Sequence, residues 1–217
     1  IIRVVSGNPI NVRHEEREVT PGHAIYDDIN EDGVINRYDI VYLGHAMPKF
    51  TGGFNLSLGY KGWRLSTDFH FRLKYDVVNK TRMDLESMYN YDNQSVSVVN
   101  RWRYEGDMTT IPKALYNRGL NVLGSDRFVE DASYLRMKSL TLSYDLPREL
   151  LKRMGIAQCY FSITGYDIFT WTRYKGQDPE VNIVGGMDSE GKFQLMGKDE
   201  SLTPRPRKMS MSVTMKF

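Results

Sequence analysis

Hydrophobic and polar residues take turns along several long segments of this chain. In the last, Arg207 to Phe217, Met209, Met211, Val213, Met215 and Phe217 share one face, and Lys208, Ser210, Ser212, Thr214 and Lys216 share the other. Such period-2 alternation predicts a strand with one apolar and one polar side. An exposed edge this apolar invites aggregation unless closure into a barrel removes it. A terminal aromatic also fits a strand that ends at a membrane interface. Taken alone, the segment reads first as an amphipathic strand of a soluble sandwich, and the rest of the chain must decide.

The same pattern begins at Phe54. Phe54, Leu56, Leu58 and Tyr60 alternate with Asn55, Ser57 and Gly59; after Lys61-Gly62, Trp63, Leu65, Thr67, Phe69, Phe71, Leu73 and Tyr75 alternate with Arg64, Ser66, Asp68, His70, Arg72 and Lys74. A two-residue hairpin at Lys61-Gly62 would pair Tyr60 with Trp63, Leu58 with Leu65, Leu56 with Thr67 and Phe54 with Phe69. Apolar then meets apolar and polar meets polar along the whole register. Trp63 to Tyr75 is predicted to span about 40 Å at roughly 3.3 Å per residue. Tilted by ~40°, it rises about 30 Å, enough to cross an apolar band with an aromatic at each margin. A soluble sheet would show one of these faces to water, and the apolar one would be a sticky patch. Lipid outside and a charged lumen inside accommodate both.

Tyr134–Leu146 alternates again, with Leu140, Leu142, Tyr144 and Leu146 on one face. Leu135 and Met137 are out of phase with that set, which predicts a bulge near Lys138-Ser139. Pro147 to Gln158 reads as one or two helical turns, opened by Pro147 and closed by Gly155. Cys159, Phe161 and Ile163 then alternate with Tyr160, Ser162 and Thr164. Residues 76–133, apart from a helical turn over Arg82–Tyr91, and about 168–206 have no sustained period; stretches this long are normally functional loops or disordered. The connections therefore alternate short and long, as periplasmic turns and external loops do in outer-membrane barrels. About five strands emerge, where closure takes at least eight. The expectation is the C-terminal part of a larger barrel.

Composition narrows the alternatives. A net charge of +2 over 217 residues gives no reason to expect nucleic acid. With 26% charged residues and a mean hydropathy of −0.48, a helical membrane protein is excluded. A barrel is not, because half of each strand is hidden from lipid. The 14 Tyr suit interfacial girdles, and the single Cys159 forbids an internal disulfide. There is no initiator Met or signal peptide, so either processing removed them or the chain is a piece of a longer one. The run His14-Glu15-Glu16-Arg17-Glu18 reads as a solvated loop. His14, His23, His45 and His70 form no metal-ligand spacing, and no nucleophile or phosphate-cradling motif occurs, so no enzyme is expected.

One stretch suggests a cation. From Asp28 to Asp39, oxygen donors fall at positions 1, 3, 5, 9 and 12 of a loop with Gly33 at position 6, where an EF-hand-type calcium loop makes its sharp turn. The side chains of Asp28, Asn30 and Asp32, the Val34 carbonyl, Asn36 or a water, and Asp39 would supply the oxygens for Ca2+. Asp39 replaces the bidentate Glu of sensor loops, as in dockerin-type loops, and the copy is single. An Asx-rich turn explains the same residues without a metal.

Several stretches together resemble the C-terminal portion of the SusC/RagA family of TonB-dependent outer-membrane transporters. They are Tyr26–Asp39, Gly44–Tyr60 with Lys61-Gly62, Asn100-Arg101-Trp102, Asp131–Pro147, Asp167–Glu180 and the closing strand. The resemblance covers nearly the whole chain, residues 1–217, and implies an all-β fold: a segment of a large antiparallel transmembrane barrel, 22-stranded in the family, with long extracellular loops. It implies TonB-dependent import of oligosaccharides or peptides across the bacterial outer membrane. TonB would act through an N-terminal plug outside this chain. The implied partners are a SusD-like surface lipoprotein serving as a lid and outer-membrane lipid, within a dimeric transporter assembly. Two departures stand out: the stretch between Pro9 and Pro21 is short, and Asp167 stands where the family pattern leads one to expect Asn.

Candidate substrate contacts are the long-loop aromatics Trp102, Tyr104, Tyr116, Trp171 and Tyr174, able to stack on sugar rings or peptide side chains; packing within the loops is the plainer role for each. Arg64, Asp68, His70 and Arg72 are expected to face the lumen, where they would meet cargo or plug. The competing class is a soluble calcium-dependent carbohydrate-binding module organised around Asp28–Asp39. Detergent dependence separates the two.

Overall fold

The computed structural model describes residues 19–118, 121, 123–180, 197–200 and 203–217, together with the backbone of 3–4, 13–14 and 17–18. Of the charged run His14–Glu18, Glu15 and Glu16 lie outside the described residues. The chain divides into two compact units, one of residues 47–75, 131–181 and 203–217, the other of residues 1–46, 76–130 and 182–202.

The first unit is built on the alternating segments. Five strands, β1 (Phe50–Tyr60), β2 (Trp63–Leu73), β3 (Tyr134–Asp145), β4 (Gln158–Thr172) and β5 (Lys208–Lys216), form one sheet in the order β5-β4-β3-β2-β1. Every strand pairs antiparallel with its sequence neighbour, giving an up-and-down meander. The hairpin has the expected register, with Tyr60 opposite Trp63, Leu58 opposite Leu65 and Phe54 opposite Phe69. Its turn residues Lys61 and Gly62 sit at φ 46° and 86°, the double left-handed pair that matches strand twist.

The pairings place the apolar residues of the alternating segments on one side. One cross-strand row runs Leu58, Leu65, Leu142, Ile163, Met211, and the next Leu56, Thr67, Leu140, Gly165, Met209. This side is open rather than covered: Leu142 is 41% exposed and Met211 70%. Arg64, Ser66, Asp68, His70, Arg72, Arg136, Thr170 and Ser210 occupy the other side. The register shifts between Met137 and Ser139 in both pairings of β3, as the phase break predicts. The bulge returns Leu135 and Met137 to the apolar face, opposite Phe71 and Phe69.

Strand ends depart from the pattern for local reasons. β1 starts four residues before Phe54, because Gly52 and Gly53 carry no side chain to signal a face; the Phe71 ring covers Gly52, where a Cβ would come within 2.9 Å of it. β2 ends at Leu73 rather than Tyr75. Lys74 turns left-handed at φ 59°, and Tyr75 swings into a buried position with its hydroxyl donating to the Pro179 carbonyl at 2.7 Å. Its 11 residues span about 33 Å, or about 25 Å once tilted by ~40°, the height of an outer-membrane apolar band. β4 continues to Thr172, so the irregular stretch expected from 168 begins later. Asp167 and Ile168 form a second bulge, with Asp167 at φ 50°; Phe169 and Trp171 keep the parity of Phe161 and Ile163, but a charge followed by an isoleucine reverses the apolar–polar order at the bulge and hides the end of the strand from a period-2 reading. The helix Arg148–Met154 follows Pro147 and stops at Gly155, φ 70°.

The second unit consists of short pieces: strands Ala24–Ile25, Val34–Ile35 and Asp76–Asn79, 3-10 turns, and the helix Lys80–Leu85. That helix lies earlier than the Arg82–Tyr91 expectation because Asn79 caps it, its side chain accepting from the Arg82 amide. Met88, Val98 and Ile111 form a small core, and Glu86 is buried between Arg82, 3.0 Å away, and Arg127. No helix of the described residues is long and apolar enough to cross a membrane.

Candidate functional site

The polar face of the sheet carries the densest charge. Asp178-Pro179-Glu180 lies against it, just beyond the end of β4. Arg136, 3% exposed, donates to Asp178 at 2.5 Å and to Glu180 at 3.0 Å, and its Nε donates to Thr170 Oγ1. Lys138 reaches Glu180 at 3.2 Å, Arg205 at 3.5 Å and Arg72 at 3.9 Å, so four cations converge on one carboxylate. Burial pushes both carboxyls up. For Asp178 the Arg136 hydrogen bond and the Glu180 amide outweigh it; for Glu180 the charges of Lys138, Arg205 and Arg136 do, so both end below their ordinary values. The segment is thereby strapped to the wall by charge-assisted bonds.

The four residues expected at the lumen all lie on this polar face. Asp68 accepts from Ser139 Oγ, His70 Nδ1 is 3.2 Å from the Tyr134 hydroxyl, and Arg72 joins the Glu180 cluster. Arg64 is exposed.

The aromatic candidates scatter. Trp171 belongs to a strand rather than a loop and lies on the apolar face, its ring centroid 6.4 Å from Phe69 and 6.0 Å from Phe169; it keeps the parity of Phe161 and Ile163 across the β4 bulge. Tyr174 is 6% exposed, pressed so closely on Gly176 that a Cβ there would clash with its ring. In the other unit, Trp102 packs on Gly22, which has φ 83° and no room for a Cβ, with Lys113 over the ring. Tyr104 (74% exposed) and Tyr116 (55%) are open, as is Trp171 (51%) on the sheet; Tyr116 lies 4.5 Å from Tyr91, ring centroid to centroid, a residue that sequence reading passed over. Arg136, Lys138, Asp178, Glu180 and Arg205 were likewise missed. Their signal was charge inside an otherwise regular strand, and an Asp-Pro-Glu triplet whose target only the fold reveals.

The Asp28–Asp39 loop is closed by its own side chains. Asp28 accepts from the amides of Asp32 (3.3 Å) and Gly33 (2.7 Å), Asp32 from Val34 (2.8 Å), and Asp39 from Ile29 (2.9 Å) and Asn36 (2.7 Å). Asn30 accepts from the Asp32 amide, and Asn36 donates to the Val34 carbonyl. Gly33 takes φ 81° at the sharp turn. The Asn36 amide is the main reason the Asp39 carboxyl titrates below its ordinary value. These are the contacts of an Asx-rich turn, and among the described residues no three His, Cys, Asp or Glu side chains converge on one metal position.

No family model matches the chain. It is similar to two proteins of Formosa agariphila: "TonB-dependent receptor P3", 29% identical over 91% of this chain and 19% of the relative, and "TonB-dependent receptor P26", 27% identical over 90% and 20%. Among solved structures it is similar to the RagAB peptide transporter, with TM-score 0.64 and 25% identity over 79% of this chain and 17% of that one. It also matches the RagAB peptide importer in its closed-closed state, with TM-score 0.66 and 22% identity over 97% and 21%. The chain thus spans about a fifth of the length of these relatives.

Proposed function

We propose that this chain, a stretch of an antiparallel outer-membrane β-barrel of the TonB-dependent receptor kind related to SusC and RagA, is the C-terminal portion of an importer. Its residues 1–217 form part of the barrel, outside the plug that TonB engages. The cargo is an oligosaccharide or a peptide, taken up beneath a SusD-like surface lipoprotein in a dimeric assembly. The reading is one of transport, and the relatives are named as receptors and transporters.

The observation that carries it is the sheet's division of labour. Five consecutive strands expose a predominantly apolar face, while the opposite face holds Arg64, Asp68, His70, Arg72 and Arg136. Oil on one side and a polar interior on the other stabilise that arrangement together; water on both sides would not. This also disfavours the soluble module, which would leave the apolar face wet. A strain deleted for the full-length gene, grown on panels of oligosaccharides and of peptides, tests the reading. Loss of growth on one panel, restored by the intact gene, names the cargo class. Unchanged growth and uptake on both, or recovery of the full-length protein from the aqueous phase without detergent, refutes import.

The Asp28–Asp39 loop is proposed to bind Ca2+. Support comes from an all-oxygen donor set of the kind this hard cation takes, Asp28, Asn30, Asp32, the Val34 carbonyl, Asn36 and Asp39, and from a turn already shaped around Gly33. Because the carboxylates are engaged by loop amides, the ion would have to draw them inward. Terbium luminescence on the full-length protein tests this: sensitised emission displaced by Ca2+ and abolished by Asp28→Ala supports it, and emission indifferent to that substitution refutes it.

A further inference from the structure

Beside the Asp178–Glu180 strap, the polar side of the sheet holds a pocket of about 330 Å³, whose lining includes Arg136, Asp167, Gln177, Asp178, Arg205 and Arg207. Arg136 and Asp178 neutralise each other in its wall, 2.5 Å apart. The other charged groups are less completely satisfied. The β4 bulge holds Asp167 at φ 50°, a left-handed conformation that Asp tolerates better than most residues. Its Oδ1 is buried, accepts no hydrogen bond among the described residues, and lies 3.7 Å from Lys138 Nζ. A buried acceptor without a donor is costly, and a ligand that brings the donor recovers the loss.

The cations have capacity to spare. Arg205 reaches Glu180 at 3.5 Å, yet its side chain is 54% exposed. Arg207, at the entry to β5, lines the pocket and makes no ion pair among the described residues. In the cluster as a whole, Arg72, Arg136, Lys138, Arg205 and Arg207 stand against Asp167, Asp178 and Glu180, an excess of two positive charges. That excess attracts an anion and disfavours a cation, and the planar guanidinium fork matches a carboxylate.

We propose that this pocket binds an acidic sugar of the cargo, Arg205 and Arg207 taking its carboxylate and Asp167 Oδ1 accepting a hydrogen bond from a neighbouring ring hydroxyl. A neutral sugar leaves the arginines without a partner. An Asp or Glu side chain supplies the carboxylate but no hydroxyl beside it, so the Asp167 oxygen stays unsatisfied. A sugar acid carries both groups within a few bonds of each other. The inference rests on the transporter reading and narrows its cargo to carboxylated oligosaccharides.

The deletion strain, complemented with the full-length gene, is given labelled oligomers of galacturonate and of glucuronate, the same oligomers with their carboxyl groups reduced to alcohols, and peptides rich in Asp and Glu. Wild type is expected to take up an acidic oligomer at least ten-fold faster than its reduced form. Arg205→Gln/Arg207→Gln should bring that ratio close to one, with the barrel intact by heat-dependent gel migration. Should the double variant fail to fold, Arg205→Gln alone, at an exposed position, decides, with at least a three-fold fall in the ratio. A wild-type ratio near one, a ratio unchanged in the variants, or acidic peptides taken up faster than acidic oligosaccharides overturns the proposal. Cells indifferent to the gene on every oligosaccharide and peptide refute the transporter reading instead, so the two failures are distinct.

Discussion

Replacing Arg136 by Leu should detach the Asp178–Glu180 segment from the wall. Arg136 and Asp178 have side-chain exposures of only 3% and 8%. Glu180 keeps Lys138 at 3.2 Å and Arg205 at 3.5 Å after the substitution, but Asp178 loses the one cation with which it makes an ion pair among the described residues. Breaking a buried pair from one side leaves an uncompensated charge and costs about 3–5 kcal/mol. At about 1.4 kcal/mol per tenfold, local opening of the segment should rise by roughly two to three and a half orders of magnitude. Hydrogen exchange at residues 173–180 of the full-length protein in detergent would read this directly. Arg136→Leu/Asp178→Leu removes both charges and should recover most of the loss, since an apolar pair of similar volume is often neutral or better. If the single substitution leaves exchange unchanged, or the double is as damaging as the single, the strap is not held by this pair. Acid should mimic the single substitution. Both carboxyls are depressed in the fold, so their contribution is complete above the ordinary carboxylate range and is lost as pH falls through the lowered values. Opening should therefore begin only below about pH 4, the unperturbed carboxylate value.

Three further outcomes are expected. Leu65→Arg should impair barrel assembly by about 2–4 kcal/mol if it lies near the bilayer midplane, whereas Ser66→Arg, one residue on and facing the polar side, should be mild; equal defects in heat-dependent gel migration would contradict a two-faced strand. His23, whose Nδ1 accepts from the Thr20 amide, is lowered to about 4 by burial and by the charges of Lys113 and Arg118. A neutral-preferring histidine contributes fully above its unfolded value of about 6.5 and loses that contribution down to about 4, so proteolysis around residues 19–25 should increase across that window and be insensitive to it in His23→Gln. In the Asp28–Asp39 loop, Asp39→Ala removes the acceptor of the Ile29 and Asn36 amides and should loosen residues 28–39 with or without Ca2+; a loop whose exchange rates do not move would show that Asp39 does not hold it.

The polar–apolar alternation was sufficient to determine the sheet, because a strand has only two faces and each had its own composition. The hairpin register, the bulge near Lys138 and the apolar face of β5 followed from it, and the family resemblance agrees with the RagAB match. Period-2 reasoning failed at Gly52-Gly53, which carry no face and hid the start of β1, and at the Asp167-Ile168 bulge, whose charge and isoleucine reverse the alternation and hid the end of β4. That second failure placed Trp171 in a loop when it faces the apolar side. The long irregular stretches gave no handle on Asp178 and Glu180, since nothing local to an Asp-Pro-Glu triplet specifies which cations it will meet. Arg136 lies more than forty residues away in sequence and is brought to it only by strand pairing and chain return. Local periodicity encodes which side of a strand is wet, while the meeting of distant charges exists only once the strands are laid side by side.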